Sequence, residues 1–201
     1  MITLEKAVAD LYQIAVIEGK RTSTLRLGSL ADLCVQELER RHVFGAEKEV
    51  LVPGIGRDKQ WDVAWKNGDK VRLSISLKSI LSNIAGTVPN RADDLMGEMA
   101  NVQLHSPEIV TGYVMVFDTQ SGERRDGKRW VEVFRSYVER LSGRQAPAWA
   151  AGMVESASIV EVDFSSGPLL LTPPTLDEFF DQLVQQLKFR NPGAIPFESG
   201  N

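Results

Sequence analysis

The sequence predicts an α/β fold, a mixed β-sheet flanked by helices, on three observations. Two stretches near the start, 3–18 and 30–41, carry apolar residues at helical spacing. Two stretches with apolar residues at alternate positions, "QWDVAW" (60–65) and "KVRLSISLK" (70–78), flank the turn signal "KNGD". Beyond them, apolar runs of strand length (108–118 and 158–164) alternate with amphipathic helical segments (91–103, 130–141 and the final helix).

In chain order, Leu4, Ala7, Val8, Leu11, Ile14 and Ala15 make the stripe of a first helix. Leu30, Leu33, Cys34 and Leu38 make that of a second, with Ser29 and Asp32 as an approximate capping box. "KEVLV" (48–52) is a short strand stopped by Pro53 and Gly54. In the hairpin, Trp61, Val63 and Trp65 must share a face with Val71, Leu73 and Ile75, because a one-residue slip would expose one apolar set. The simplest loop meeting that parity is Lys66, Asn67 and Gly68, which pairs Trp65 with Asp69 and sets Asp62 opposite Arg72. Asp62 then shares a face with Ser74, Ser76 and Lys78. After a loop (79–89), Asn90 as N-cap and Asp93 at N3 open the helix 91–103, with Leu95, Met99 and Val102 as its stripe and Asp94, Glu98 and Asn101 beside it. "EIVTGYVMVFD" (108–118) is a strand covered on both faces. A helix over 130–141, a strand over 158–164 and a last helix capped by Thr175 and Glu178 complete the order α, α, β, β, β, α, β, α, β, α.

With 201 residues, 43% apolar and 25% charged, the chain is expected to be one globular domain, 1–201, with a loose tail at 191–201. One cysteine, Cys34, excludes an internal disulfide, and no Cys/His spacing suits zinc. No run reaches the ~20 apolar residues of a membrane span, so the expected location is the cytoplasm, with no membrane partner. The net charge of −4 gives no basic field overall, so nucleic-acid binding would rest on local clusters.

The elements over roughly 28–118, with Asp62 on the second strand and Ser76-x-Lys78 on the third, resemble the core of the PD-(D/E)XK nuclease superfamily, the restriction endonuclease-like α-β-β-β-α-β arrangement. That family places an acid where this chain has Ser76. A branch of restriction endonucleases reads Ser-x-Lys, with the missing carboxylate supplied by the following helix; here the helix offers Glu98 and Asp94, and Glu98 has the longer reach. The resemblance implies a Mg²⁺- (or Mn²⁺-) dependent endonuclease of the restriction type that hydrolyses phosphodiester bonds in double-stranded DNA. Asp62, Glu98 or Asp94, and the Leu77 carbonyl would be metal ligands. Lys78 would act on the attacking water or the phosphorane, Ser76 would mark the migrated acid, and Glu37 would bind a water of a second metal. A homodimer would match the two-fold symmetry of duplex DNA.

Two basic groups are candidate DNA contacts: Arg57 with Lys59 ahead of Asp62, and Arg124, Arg125, Lys128 and Arg129 in a turn-rich loop. Each residue also has an ordinary alternative: lysines end strands, aspartates flank hairpins, and Asp94 or Glu98 can pair with Arg91. Competing readings are a catalytically inactive nuclease-fold domain that binds DNA or a partner protein, and an unrelated α/β protein in which Asp62 and Lys78 do not converge.

Overall fold

The computed structural model describes residues 1–120, 124 and 126–195. Five helices and six strands alternate as α1 (Leu4–Tyr12), α2 (Gly28–Arg40), β1 (Glu47–Val52), β2 (Lys59–Asn67), β3 (Lys70–Ile80), α3 (Ile84–His105), β4 (Val110–Asp118), α4 (Trp130–Leu141), β5 (Ser156–Asp163), β6 (Leu169–Leu170) and α5 (Asp177–Arg190). A π-helical turn (Gln13–Ile17) and a 3₁₀ turn (Thr24–Leu27) lie between α1 and α2.

The strands form one sheet in sequential order. β1, β2 and β3 run antiparallel, β3, β4 and β5 parallel, and β6 closes the far edge antiparallel. The α/β class and mixed sheet expected from the sequence are therefore present. Because the two parallel crossovers advance in the same direction and share one hand, they put α3 and α4 on the same face of the sheet. Val88, Leu95, Met99 and Val102 of α3 and Val131, Phe134 and Val138 of α4 pack there with Tyr113, Met115 and Phe117. The other face carries α1, α2 and α5 over Val63, Leu73, Ile75, Leu77, Val114 and Val116. β4, buried on both sides, has the unbroken apolar composition this requires. Gly112 lets α5 approach it: a Cβ there would lie 2.8 Å from Leu183 and 2.9 Å from Phe179.

The hairpin differs from expectation in one respect and agrees in another. Asn67 pairs with Lys70, so the turn is Gly68 and Asp69, and the ladder shifts between Trp65 and Lys66 so that Trp65 faces Leu73. Arg72 is the extra residue of that bulge and reaches out to Glu108. Asp62 therefore lies across from Ser76, not Arg72. The register is four residues from the expected one, which preserves parity, so Val63, Trp65, Leu73 and Ile75 share the expected face. Val71, beyond the bulge, turns to the opposite face. Trp61 does so too: its β2 segment stays paired with β1, where it faces Val50, after the β2–β3 ladder has ended at Val63.

The helix after β3 begins seven residues earlier than expected, with Asn83 in place of Asn90 as its N-cap, and Asn83 holds a left-handed φ of 47°. Pro89 lies inside this helix, and Asn90 and Asp93 are interior residues; Ile84 and Val88, both buried, extend the stripe past the proline and hold the extra turn by packing. The expected capping boxes of α2 and α5 are also absent, since Leu27 and Leu176 occupy those N-cap positions. Ser29 instead donates to Asp10 of α1, 2.6 Å away. Within the stretch 191–201, expected to be loose, Ile195 is buried against the α5 side; 196–201 lie outside the described residues.

At the N-terminal ends of β4 and β5, the carboxylate of Glu155 is wholly buried between Arg144 (2.8 Å) and Arg190 (2.5 Å). Its other oxygen accepts from the Thr111 N–H (2.7 Å) and hydroxyl (2.8 Å). A buried carboxylate persists only when its charge and lone pairs are met in this way.

Candidate active site

The candidate site forms where β2 leaves β3. In an antiparallel ladder the residue two beyond Ile75 would exchange both main-chain bonds with β2. Leu77 instead donates its N–H to the Asp62 carboxylate (2.7 Å), so an acidic side chain occupies the place of a strand partner. The Leu77 carbonyl leaves the strand on that same side.

Ser76 and Lys78 alternate with Leu73, Ile75 and Leu77, which are committed to the α2 and α5 side, so both turn toward α3. There Glu98, beside the buried stripe of Leu95, Met99 and Val102, faces the sheet with its side chain 12% exposed. Ser76, 2% exposed, donates to Glu98 Oε2 at 3.2 Å. Lys78 Nζ lies 3.6 Å from Glu98 Oε2 and 3.9 Å from Asp62 Oδ2. Lys59, at the start of β2, pairs with the other oxygen of Glu98. Two carboxylates and two ammonium groups therefore share a half-buried cleft with no net charge.

The carboxyls are tuned in opposite directions. Burial pushes Asp62 above the usual aspartate range; Lys78 and the Leu77 N–H only partly offset it, and the Glu98 charge adds to it. Burial acts on Glu98 in the same sense, but Lys78, Lys59 and the Ser76 hydroxyl together outweigh it and hold this carboxyl below its ordinary value. Opposite shifts in neighbouring acids are a recurring feature of sites that move protons.

Hard oxygen donors are what Mg²⁺ requires, and it is commonly bound through one or two carboxylates while retaining waters. Asp62, Glu98 and the Leu77 carbonyl meet that requirement in kind. Among the described residues, no group of three or more His, Cys, Asp or Glu side chains could hold a metal; the site offers two carboxylates.

The other expected residues are distributed differently. The Asp94 carboxylate is half exposed and pairs with Arg91 at 2.9 Å. Glu37 is engaged by Arg40 (2.7 Å) and Arg41 (2.5 Å), which also bind Asp177 and so tie α2 to α5. Lys59, expected as a DNA contact, is a member of the carboxylate cluster. Arg57 lies in a loop fastened to α3 by Asn101, whose side chain accepts from the Gly56 N–H (2.9 Å) and donates to the Arg57 carbonyl (2.9 Å). In the basic loop, Arg124 stacks on Trp130 and pairs with Asp126 at 3.3 Å, and Arg129 pairs with Glu132 at the start of α4. The backbone of Lys128 closes the turn onto Arg124, and Arg125 lies outside the described residues.

Two neighbours escape a reading by motif. Tyr113 is opposite Ser76 across the parallel β3–β4 ladder, and its buried hydroxyl has no hydrogen-bond partner among the described residues. Burial pushes that hydroxyl up, with Glu98, Asp94 and Asp62 close enough to add to the effect and Arg91 opposing it. Arg26, from the 3₁₀ turn, reaches across the chain to donate to Ser79 Oγ at 3.2 Å, one residue past Lys78. Neither contact has a local spacing in sequence that would announce it.

No known family profile and no curated protein matches the sequence. Among solved structures, the fold is similar to the small subunit of the heterodimeric restriction endonuclease R.BspD6I, at 10% identity and a TM-score of 0.33, over 90% of this chain and 96% of that one. Among the described residues, no helix is long and apolar enough to cross a membrane.

Proposed function

We propose that this chain is a divalent-metal-dependent nuclease that hydrolyses phosphodiester bonds in DNA, with Asp62, Glu98 and Lys78 as its reacting groups. The observation that carries the reading is the convergence of one ammonium group, Lys78, on two carboxylates from separate elements, at 3.9 Å and 3.6 Å. Hydrolysis needs in-line attack of water on phosphorus and stabilisation of negative charge that gathers on the nonbridging oxygens. Lys78 is placed to orient the water or to meet that charge as an ammonium donor. Asp62 and Glu98, with the Leu77 carbonyl, would hold Mg²⁺, which supplies charge neutralisation and a more acidic bound water. Ser76 fixes the rotamer of Glu98, a positioning role. Lys59 balances Glu98 before substrate arrives. Cutting a duplex takes two such sites, which a homodimer would supply.

Incubation of the protein with plasmid and varied phage DNA tests this. Cleavage in Mg²⁺ or Mn²⁺ that stops in EDTA and in Lys78→Met is the expected result; no metal-dependent cleavage across varied substrates contradicts it. A second reading, a nuclease-fold domain that binds DNA or a partner without cutting, is favoured by the presence of only two acids, both already paired with lysines. It predicts DNA binding that neither metal nor Asp62→Asn alters.

A further inference from the structure

Beside the carboxylate cluster lies a second, chemically distinct cavity of about 360 Å³. Arg21, Arg26 and Arg91 line it together with Ser79, Ser82 and Thr87, and among the described residues no acidic one is in its lining. It joins the last residues of β3 to the start of α3, so its floor continues the strand that carries Lys78.

The cations are poorly matched by the protein itself. Among the described residues, Arg26 bonds only neutral groups, the Ser23 carbonyl at 2.7 Å and the Ser79 hydroxyl at 3.2 Å. Among the described residues, Arg91 has one carboxylate partner, Asp94, while its Nε is buried without any hydrogen bond. Burial first, and then the neighbouring Arg91, lower the affinity of Arg26 for its own proton, while the charge of Asp62 opposes them. A guanidinium presents a planar fork of donors that matches phosphate oxygens in pairs, and the Ser79 and Ser82 hydroxyls can donate to the oxygens that remain, since that of Thr87 is given to the Asn83 carbonyl at 2.8 Å. Helix α3 also begins here, at Asn83, which makes no side-chain cap, so the positive end of the helix dipole favours the same charge.

We propose that this cavity is a phosphate subsite, in which Arg26 and Arg91 hold a backbone phosphate next to the one presented to Lys78. It rests on the nuclease reading for its substrate, DNA, and on the arginine and hydroxyl geometry for its chemistry. The subsite fixes the register of the strand, so that the phosphodiester under attack is set by its distance from a held neighbour.

The test has two arms. In the first, inorganic phosphate is titrated into metal-free protein while the arginine Nε–Hε resonances are followed by NMR. Saturable shifts of Arg26 and Arg91, lost in Arg26→Gln and Arg91→Gln, are expected; the absence of a saturable shift overturns the proposal. In the second, binding of a short DNA duplex is measured in EDTA across a range of salt. Each of the two variants should weaken binding about tenfold and make the slope of log affinity against log salt shallower by about one, as expected for one lost phosphate contact. Arg140→Gln, on the exposed end of α4, should behave as wild type, and Arg26→Lys, which keeps the charge without the fork, should recover part of the loss. Melting curves show whether each variant is folded. If both arms succeed but wild-type protein never cuts DNA, the subsite stands and the nuclease reading falls. If wild-type protein cuts and both glutamine variants bind with unchanged affinity and slope, the subsite falls alone.

Discussion

Ser76 donates a hydrogen bond to Glu98 across 3.2 Å, joining the strand position that lacks an acid to the helix position that has one. The carboxylate therefore reaches the cleft from α3 and the serine holds it there. Glu98→Ala should lower cleavage by about 10²–10³, the usual loss when one electrostatic group of a reacting site is removed. Adding Ser76→Asp to that variant should recover part of the rate by returning a carboxylate from the strand. Initial rates on one plasmid substrate check both; equal rates for Glu98→Ala and wild type would remove Glu98 from the reaction.

Asp62 and Glu98 should have opposite effects on stability. The folded state raises the Asp62 pKa, so its contribution is fully present below the unfolded value of 3.8 and is lost as pH climbs through the raised value. Asp62→Asn should match wild type in acid and melt higher at neutral pH while losing activity. The folded state lowers the Glu98 pKa, so its contribution is present above 4.5 and disappears as pH falls through the lowered value. Glu98→Gln should therefore melt lower than wild type at neutral pH, with the gap closing in acid. Thermal melts of the three proteins from acid to neutral pH check the crossing.

The buried Glu155 should dominate stability away from the site. Glu155→Ala strands Arg144 and Arg190, which are 2% and 8% exposed, and orphans the Thr111 N–H. The expected cost is about 3–5 kcal/mol, seen as a lower denaturation midpoint.

The loop carrying Arg57 depends on Asn101 and on a glycine. A Cβ on Gly54 would lie 2.0 Å from Asn101 Nδ2 and 2.5 Å from the Arg57 carbonyl. Gly54→Ala and Asn101→Ala should both free the loop, and limited trypsin digestion should then cut after Arg57 faster than in wild type, with little change in melting temperature.

If Glu98 holds the metal as proposed, Lys59, which pairs with it, would compete for the same carboxylate. Lys59→Gln should raise the affinity for Mn²⁺ in the absence of DNA, measured by electron paramagnetic resonance of the free ion, because one of the two cations that neutralise the carboxylates is gone.

The sequence carried the fold class through periodicity, and the Trp65–Leu73 face survived a four-residue error in register because parity depends only on alternation. Caps were less legible. Ser29 and Thr175 look like N-caps by type, but the helix starts are set by packing, and Pro89 concealed an extra turn that Ile84 and Val88 hold in place. Strand alternation put Asp62 and Lys78 on one face but not side by side, since the expected register set Asp62 opposite Arg72 and the observed one carries it toward Ser76. The choice of Glu98 over Asp94 turned on side-chain reach, with Arg91 retaining Asp94. Lys59 in the cluster and Arg26 against Ser79 were not readable, since each depends on where two distant segments meet.

The most direct measurement is the anomalous scattering of Mn²⁺ in crystals of the protein grown with DNA. A peak bound by the carboxylates of Asp62 and Glu98, beside the Leu77 carbonyl and within reach of a phosphate near Lys78, is the predicted result. A phosphate seated at Lys78 with no metal between Asp62 and Glu98, or metal bound only elsewhere, would contradict it.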